Sequence, residues 1–362
     1  AAVDAVWYVV GRAAGAFASV DELRARAAAD PTAAYRLARL VTALLGALTV
    51  AATYALGRAV RDRRAGALAA VFLAATYLHV RESHFATSDV PATLLATLAL
   101  VACARIAAGG TRRDYALAGL WIGAATATKY SSLAVVVSLV AAHLLAAARE
   151  DRCRQDAGGN AGDVSEDAGT TRTPSASERP SAAGSSRASR SSASSAGGQV
   201  GPLVGTLARA LADRRLLVAG LVAGLTFLVA VPYAVLDWPA FHADVALLAE
   251  RGRTGFKGLA LSPDPGWVFY PKTLAWGMEA PLFAAALLGV IAALVRRRGI
   301  DLVLVVFPLF LYAYLAPQLL LFERFILPAL PVLAVLAAIL LGGLVDRLPW
   351  SGRARVAALA GI

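Results

Sequence analysis

Between two long apolar segments lies His79-Val80-Arg81-Glu82-Ser83-His84-Phe85-Ala86-Thr87-Ser88-Asp89-Val90-Pro91, which carries two carboxylates, two imidazoles and a guanidinium. Ionisable groups at a bilayer boundary are costly, so several in one short stretch point to the handling of a polar substrate. A carboxylate such as Asp89 or Glu82 can take a proton from a reacting hydroxyl, orient a substrate or hold a catalytic group. Glu82, His84 and Asp89 also form a candidate set for a divalent ion, magnesium or manganese, which accepts oxygen-rich ligands. Each residue has a plainer reading. Ser88 or Asp89 with Pro91 suits a helix N-terminus, Glu82 suits an ion pair with Arg81, and His84 suits a polar network.

Other candidates lie far off in sequence. The chain has 35 lysines and arginines, of which only Lys129, Lys257 and Lys272 are lysines. Compact ammonium groups retained at three places suggest contact with phosphate, although Lys129 also suits an interfacial anchor. Arg324 offers a planar fork for an anion, or for a carboxylate clamp. Tyr130 and Tyr270 adjoin these cations as substrate-binding candidates. The basic run Arg251-Gly252-Arg253-Thr254-Gly255-Phe256-Lys257-Gly258 reads either as a lid over phosphate or as a solvated turn near headgroups. No Walker-type spacing occurs.

The elements that must position these residues are membrane helices. Of 362 residues, 58% are hydrophobic and 16% charged, with mean hydropathy +0.63, which is too apolar for one soluble core. Apolar stretches recur at roughly 37–60, 65–80, 90–108, 115–128, 131–148, 215–236, 277–295, 300–318 and 325–345. The fold expected is an all-α polytopic transmembrane helix bundle of about nine or more spans, with external loops and interfacial helices. Arginines gather after alternate spans, at Arg58 to Arg64, Arg105 to Arg113, Arg149 and Arg152, Arg296 to Arg298, and Arg347 to Arg355. The excess of basic residues places those ends in the cytoplasm and the 79–91 run, Lys129, 237–276 and Glu323-Arg324 outside. The formal charge of +11 then reflects topology and gives no support to nucleic-acid binding.

Four regions follow: an external juxtamembrane segment, 1–36; a first membrane helix group, 37–148; a disordered cytoplasmic linker, 149–214, rich in Ser, Ala, Gly, Asp and Arg; and a second membrane helix group, 215–362, with an external loop at 237–276. The linker reads as a tolerated insertion or as a regulatory tail. Cys103 in a span and Cys153 in the linker cannot pair, and no zinc spacing exists. The chain opens without methionine and closes on what reads as the start of a helix, 356–362, so further spans on both sides are expected.

Several segments together resemble a known family: Tyr35-Arg36-Leu37 through Tyr54-Ala55-Leu56-Gly57-Arg58, Gly66-Ala67-Leu68-Ala69-Ala70, Gly119-Leu120-Trp121-Ile122-Gly123 through Thr128-Lys129-Tyr130, and Glu323-Arg324-Phe325-Ile326-Leu327-Pro328-Ala329-Leu330-Pro331. Their order is similar to that in the C-type integral-membrane glycosyltransferases of the family 39 group, which includes dolichyl-phosphate-mannose protein mannosyltransferases and bacterial lipid A aminoarabinose transferases. The resemblance implies a plasma-membrane enzyme. It would move a sugar, with inversion, from a polyprenyl-phosphate donor to a protein or lipid acceptor on the external face. It also implies a catalytic acid in a first external loop, expected upstream of this chain, since Asp4 lacks the family's acidic pair. Asp89 matches the second acidic position. The other readings are a transporter or flippase, or a non-catalytic binder of lipid-linked sugar. Charges at span ends and the lack of an internal repeat favour the enzyme over the transporter.

Overall fold

The computed structural model describes residues 12–13, 15, 18–166, 212–255 and 262–347. Every regular element among them is helical. In chain order these are α1 (Val20–Ala29), α2 (Thr32–Val60), α3 (Arg63–Ala75), α4 (Tyr77–Ser83), α5 (Asp89–Ala107) and α6 (Arg112–Thr128). A 3-10 turn (Tyr130–Val135) leads into α7 (Val136–Glu166). Then come α8 (Arg214–Ala230), α9 (Tyr233–Leu236), α10 (Trp238–Thr254), α11 (Gly266–Gly277), α12 (Ala280–Arg296) and α13 (Gly299–Leu315). A second 3-10 turn (Glu323–Ala329) opens α14 (Leu330–Arg347).

Helix α5 is the axis of the first half. It is apolar on every side and largely buried, as a helix without a polar face must be. Its alanines at 92, 96, 99, 102, 104 and 107 let α2, α6, α7, α13 and the second 3-10 turn approach closely. Its threonines need no outside partner. Thr93 and Thr97 donate to the carbonyls of Asp89 and Thr93, at 2.8 and 2.7 Å. Helix α14 plays the same part in the second half, buried against α12, α3 and α2.

Helices α6 and α8 meet through glycine. A Cβ on Gly119 would lie 2.2 Å from the Ala219 carbonyl oxygen, and one on Gly123 would lie 2.4 Å from that of Ala223. The backbones touch, which is how helices pack where no hydrophobic drive exists between them. At the far end Arg215 grips Glu150 through two bonds of 2.6 and 2.9 Å and also reaches Asp213 at 3.1 Å, tying α7 to α8.

The expected spans recur as helices, with corrections. Four helices among the described residues are long and apolar enough to cross a membrane: Thr32–Val60, Asp89–Ala107, Tyr130–Cys153 and Glu323–Arg347. The count is five if the pair α11 and α12, bent by 120°, is one span. The stretch at 65–80 breaks at Thr76, whose backbone turns extended while its hydroxyl bonds the Phe72 carbonyl at 2.7 Å. His79 to Ser83 are therefore helical and not loop. The stretch at 215–236 ends as a helix at Ala230, because Pro232 cannot continue it. Helix α7 runs on to Glu166, so the segment from 149 begins as helix; residues 167–211 lie outside the described ones. The loop at 237–276 holds α10, a surface helix with no buried residue, capped by Asp237.

Candidate functional site

One end of the bundle gathers charges from four elements. Asp89 is the first residue of α5, 3% exposed. Its carboxylate faces cations. Lys129, where α6 ends and the 3-10 turn begins, forms an ion pair with Oδ1. Arg324, from the second 3-10 turn, places Nε 3.4 Å from Oδ2. Both oxygens thus meet positive charge from distant parts of the chain.

The cations also lie against aromatic rings. Lys129 Nζ is 4.1 Å from the centre of the Phe325 ring, and the Arg324 guanidinium is 4.3 Å from that of Phe322. Such stacking holds a cation in place without consuming its hydrogen-bond donors. Arg324 spends Nε on Asp89, which leaves the paired terminal nitrogens of its fork for another anion.

A second pair lies beside the first. Arg81 of α4 binds Glu323 and sets its other terminal nitrogen 3.4 Å from Glu82 Oε1. Its guanidinium rests 5.4 Å from the centre of the Trp276 ring, at the end of α11. Glu82 is 4% exposed, and burial pushes its pKa up while Arg81 pulls it down. Three cations, Arg81, Lys129 and Arg324, therefore stand among three carboxylates, Glu82, Asp89 and Glu323. Nearby, the buried hydroxyls of Thr87 and Ser132, two residues before Asp89 and three after Lys129, have no hydrogen-bond partner among the described residues.

Of the residues singled out from sequence, Asp89, Lys129 and Arg324 come together, with Glu82 alongside. The rest separate. His84 is exposed, and its Nδ1 lies 2.7 Å from the Val80 carbonyl in its own turn. Among the described residues no three His, Cys, Asp or Glu side chains gather to hold a metal ion. The set Glu82, His84 and Asp89 therefore does not fit a divalent ion, because Asp89 is taken by cations and His84 turns away. Tyr130 joins a different cluster, its hydroxyl 3.2 Å from that of Tyr233 and its ring near Phe227 and Phe241. Tyr270 is fully buried, its hydroxyl beside the backbone of Phe322. Lys272 is 65% exposed at its side chain and paired with Asp264 at 2.7 Å. Lys257 lies outside the described residues. Of the basic run, Arg251 to Thr254 close α10, and Gly252 accepts a 2.8 Å bond from the Leu319 amide, docking the run on that segment.

Arg81, Glu323, Trp276 and Phe325 complete the cluster. The first two were visible as charges at span ends, but the aromatic rings carried no signal that set them apart from interfacial anchors.

Comparison with known proteins places the fold. The family model described as Dolichyl-phosphate-mannose-protein mannosyltransferase matches residues 34–157, a stretch that includes Asp89 and Lys129. ArnT from Cupriavidus metallidurans, in a crystal structure bound to undecaprenyl phosphate, superposes with a TM-score of 0.55 at 18% identity, over 90% of this chain and 48% of its own. The apo structure of the same protein gives 0.50 at 15% identity, with the same coverage. The fold is that of these ArnT structures. No curated protein sequence matches the chain. The chain spans about half the length of the ArnT structures it matches. Its apolar helices and this fold mark it as a membrane protein.

Proposed function

We propose that the chain is the membrane portion of a glycosyltransferase that takes a sugar from a polyprenyl-phosphate donor and passes it, with inversion, to a protein or lipid acceptor on the external face of the plasma membrane. The observation that carries this reading is the convergence of Lys129 and Arg324 on buried Asp89 at the membrane boundary. A lipid-linked phosphate needs cations there and a groove open to the bilayer, and ArnT of the same fold was crystallised with undecaprenyl phosphate.

In this reading Asp89 is a positioning residue. It holds two cations at a fixed spacing and offsets their mutual repulsion while the site is empty. The donor phosphate meets the free nitrogens of Arg324 and the ammonium of Lys129. The acceptor oxygen then forms a bond to the anomeric carbon from the face opposite the phosphate and gives up its proton to a carboxylate base, a role for which Glu82 is the candidate at this end of the bundle. The bond from that carbon to the phosphate oxygen breaks, and the lipid phosphate leaves with the electron pair. Fixed cations at that oxygen are worth most in a site poor in water, where charge is weakly screened.

Binding of undecaprenyl phosphate to the full-length protein in detergent, followed by native mass spectrometry, tests the reading. The wild type is expected to retain the lipid, and Arg324→Ala to bind about tenfold more weakly, the loss of one charge-assisted contact of about 1.5 kcal/mol. A wild type that does not discriminate undecaprenyl phosphate from undecaprenol overturns it.

A further inference from the structure

The turn between α11 and α12 has a feature that the phosphate site leaves unused. Glu279 is exposed and sits at φ 63°, ψ 139°, a region that side-chain-bearing residues rarely enter. A glutamate held there costs of order 1–3 kcal/mol relative to an unstrained residue, and such outliers concentrate where a ligand is handled. No described residue forms an ion pair or hydrogen bond with its carboxylate, unlike Glu82, Asp89 and Glu323 at the same end.

The turn is seated against the charged cluster. A Cβ on Gly277 would meet that of Leu78 at 2.6 Å, so the end of α11 lies directly on α4. Three residues before Glu279, Trp276 is 46% exposed, with Arg81 over its ring and Tyr77, 48% exposed, edge-on at 5.0 Å. An open aromatic surface beside an unpaired carboxylate matches the two faces of a sugar ring. Its C–H groups lie on the aromatic ring and its hydroxyls donate to the carboxylate.

We infer that Tyr77, Trp276 and Glu279 form the subsite for the donor's sugar, a neutral hexose with adjacent free hydroxyls, next to the phosphate site. This rests on the phosphate reading above. Glu279 stands exposed three residues after Trp276 at a positive φ, and Arg81, stacked on Trp276 and paired with Glu323, links the sugar and phosphate sites.

The test compares two lipids on the full-length protein, undecaprenyl phosphate and undecaprenyl phosphoryl mannose, for wild type, Trp276→Ala, Glu279→Gln and Glu279→Gly. Trp276→Ala and Glu279→Gln are expected to weaken the mannosyl lipid about tenfold and undecaprenyl phosphate less than twofold. Glu279→Gly is expected to raise the thermal midpoint, because glycine accepts this backbone, while losing the mannosyl preference in the same way. Equal loss of both lipids, or no loss of either, overturns the subsite. A wild type that binds neither lipid sinks the phosphate reading instead, so the two failures are distinct.

Discussion

Asp89→Asn in the full-length protein is expected to cut sugar transfer at least tenfold and to lower stability. The carboxylate side chain is 4% exposed and that of Lys129 17%, so the ion pair is largely out of water. Removing one partner of a fully buried pair costs about 3–5 kcal/mol, because the other charge is left without compensation. Here the loss falls below that range, since Arg324 is 37% exposed and water screens its share. The double variant Asp89→Asn with Lys129→Met separates the two roles. It removes both members of the pair, so the thermal midpoint should recover most of the loss, while transfer stays at least tenfold down because a phosphate-binding cation has gone. Thermal unfolding in detergent and transfer in membrane vesicles, measured on the same preparations, check both. Wild-type transfer by Asp89→Asn would sink the positioning role.

Gly119→Val, and more so with Gly123→Val, is expected to separate α6 from α8. Each new Cβ would lie 2.2 or 2.4 Å from a carbonyl oxygen of α8, and backbone on both sides cannot move aside as a side chain can. Overpacking costs about 1–3 kcal/mol where side chains can give, so each valine belongs at or above the top of that range. The consequence reaches the site, because α6 ends at Lys129 and its tilt sets where that ammonium meets Asp89. Gly220 and Gly224, on α8 itself, have nothing within 4 Å of a built Cβ. Alanine at either is expected to be tolerated, with a small gain in helix propensity. A thermal midpoint for Gly119→Val equal to that of Gly220→Ala would show that the close approach is not what joins the helices.

Glu323 and Arg324 show why sequence alone stops short of the site. As neighbours between two spans, they read equally well as an anion grip or as a carboxylate clamp. In the structure they part: Glu323 turns to Arg81 and Arg324 to Asp89. Tyr270 and Lys272 are the opposite case. Type and neighbourhood recommended both, yet one faces the core and the other already has Asp264. Glu279 was not singled out, since a glutamate before Ala-Pro carries no sign that its backbone will adopt a positive φ.

What the chain determined by itself was the all-helical membrane architecture, the positions of most helices within a few residues, and the gathering of ionisable groups in the stretch around Asp89. Hydropathy and capping act over one or two turns, so they are written locally. What only the tertiary structure decided was which charges meet. Arg81 finds Glu323 across 242 positions and Lys129 finds Asp89 across 40, because small residues let particular helix ends come together. Pairing depends on that packing, and packing is a property of all the helices at once, which no local pattern encodes.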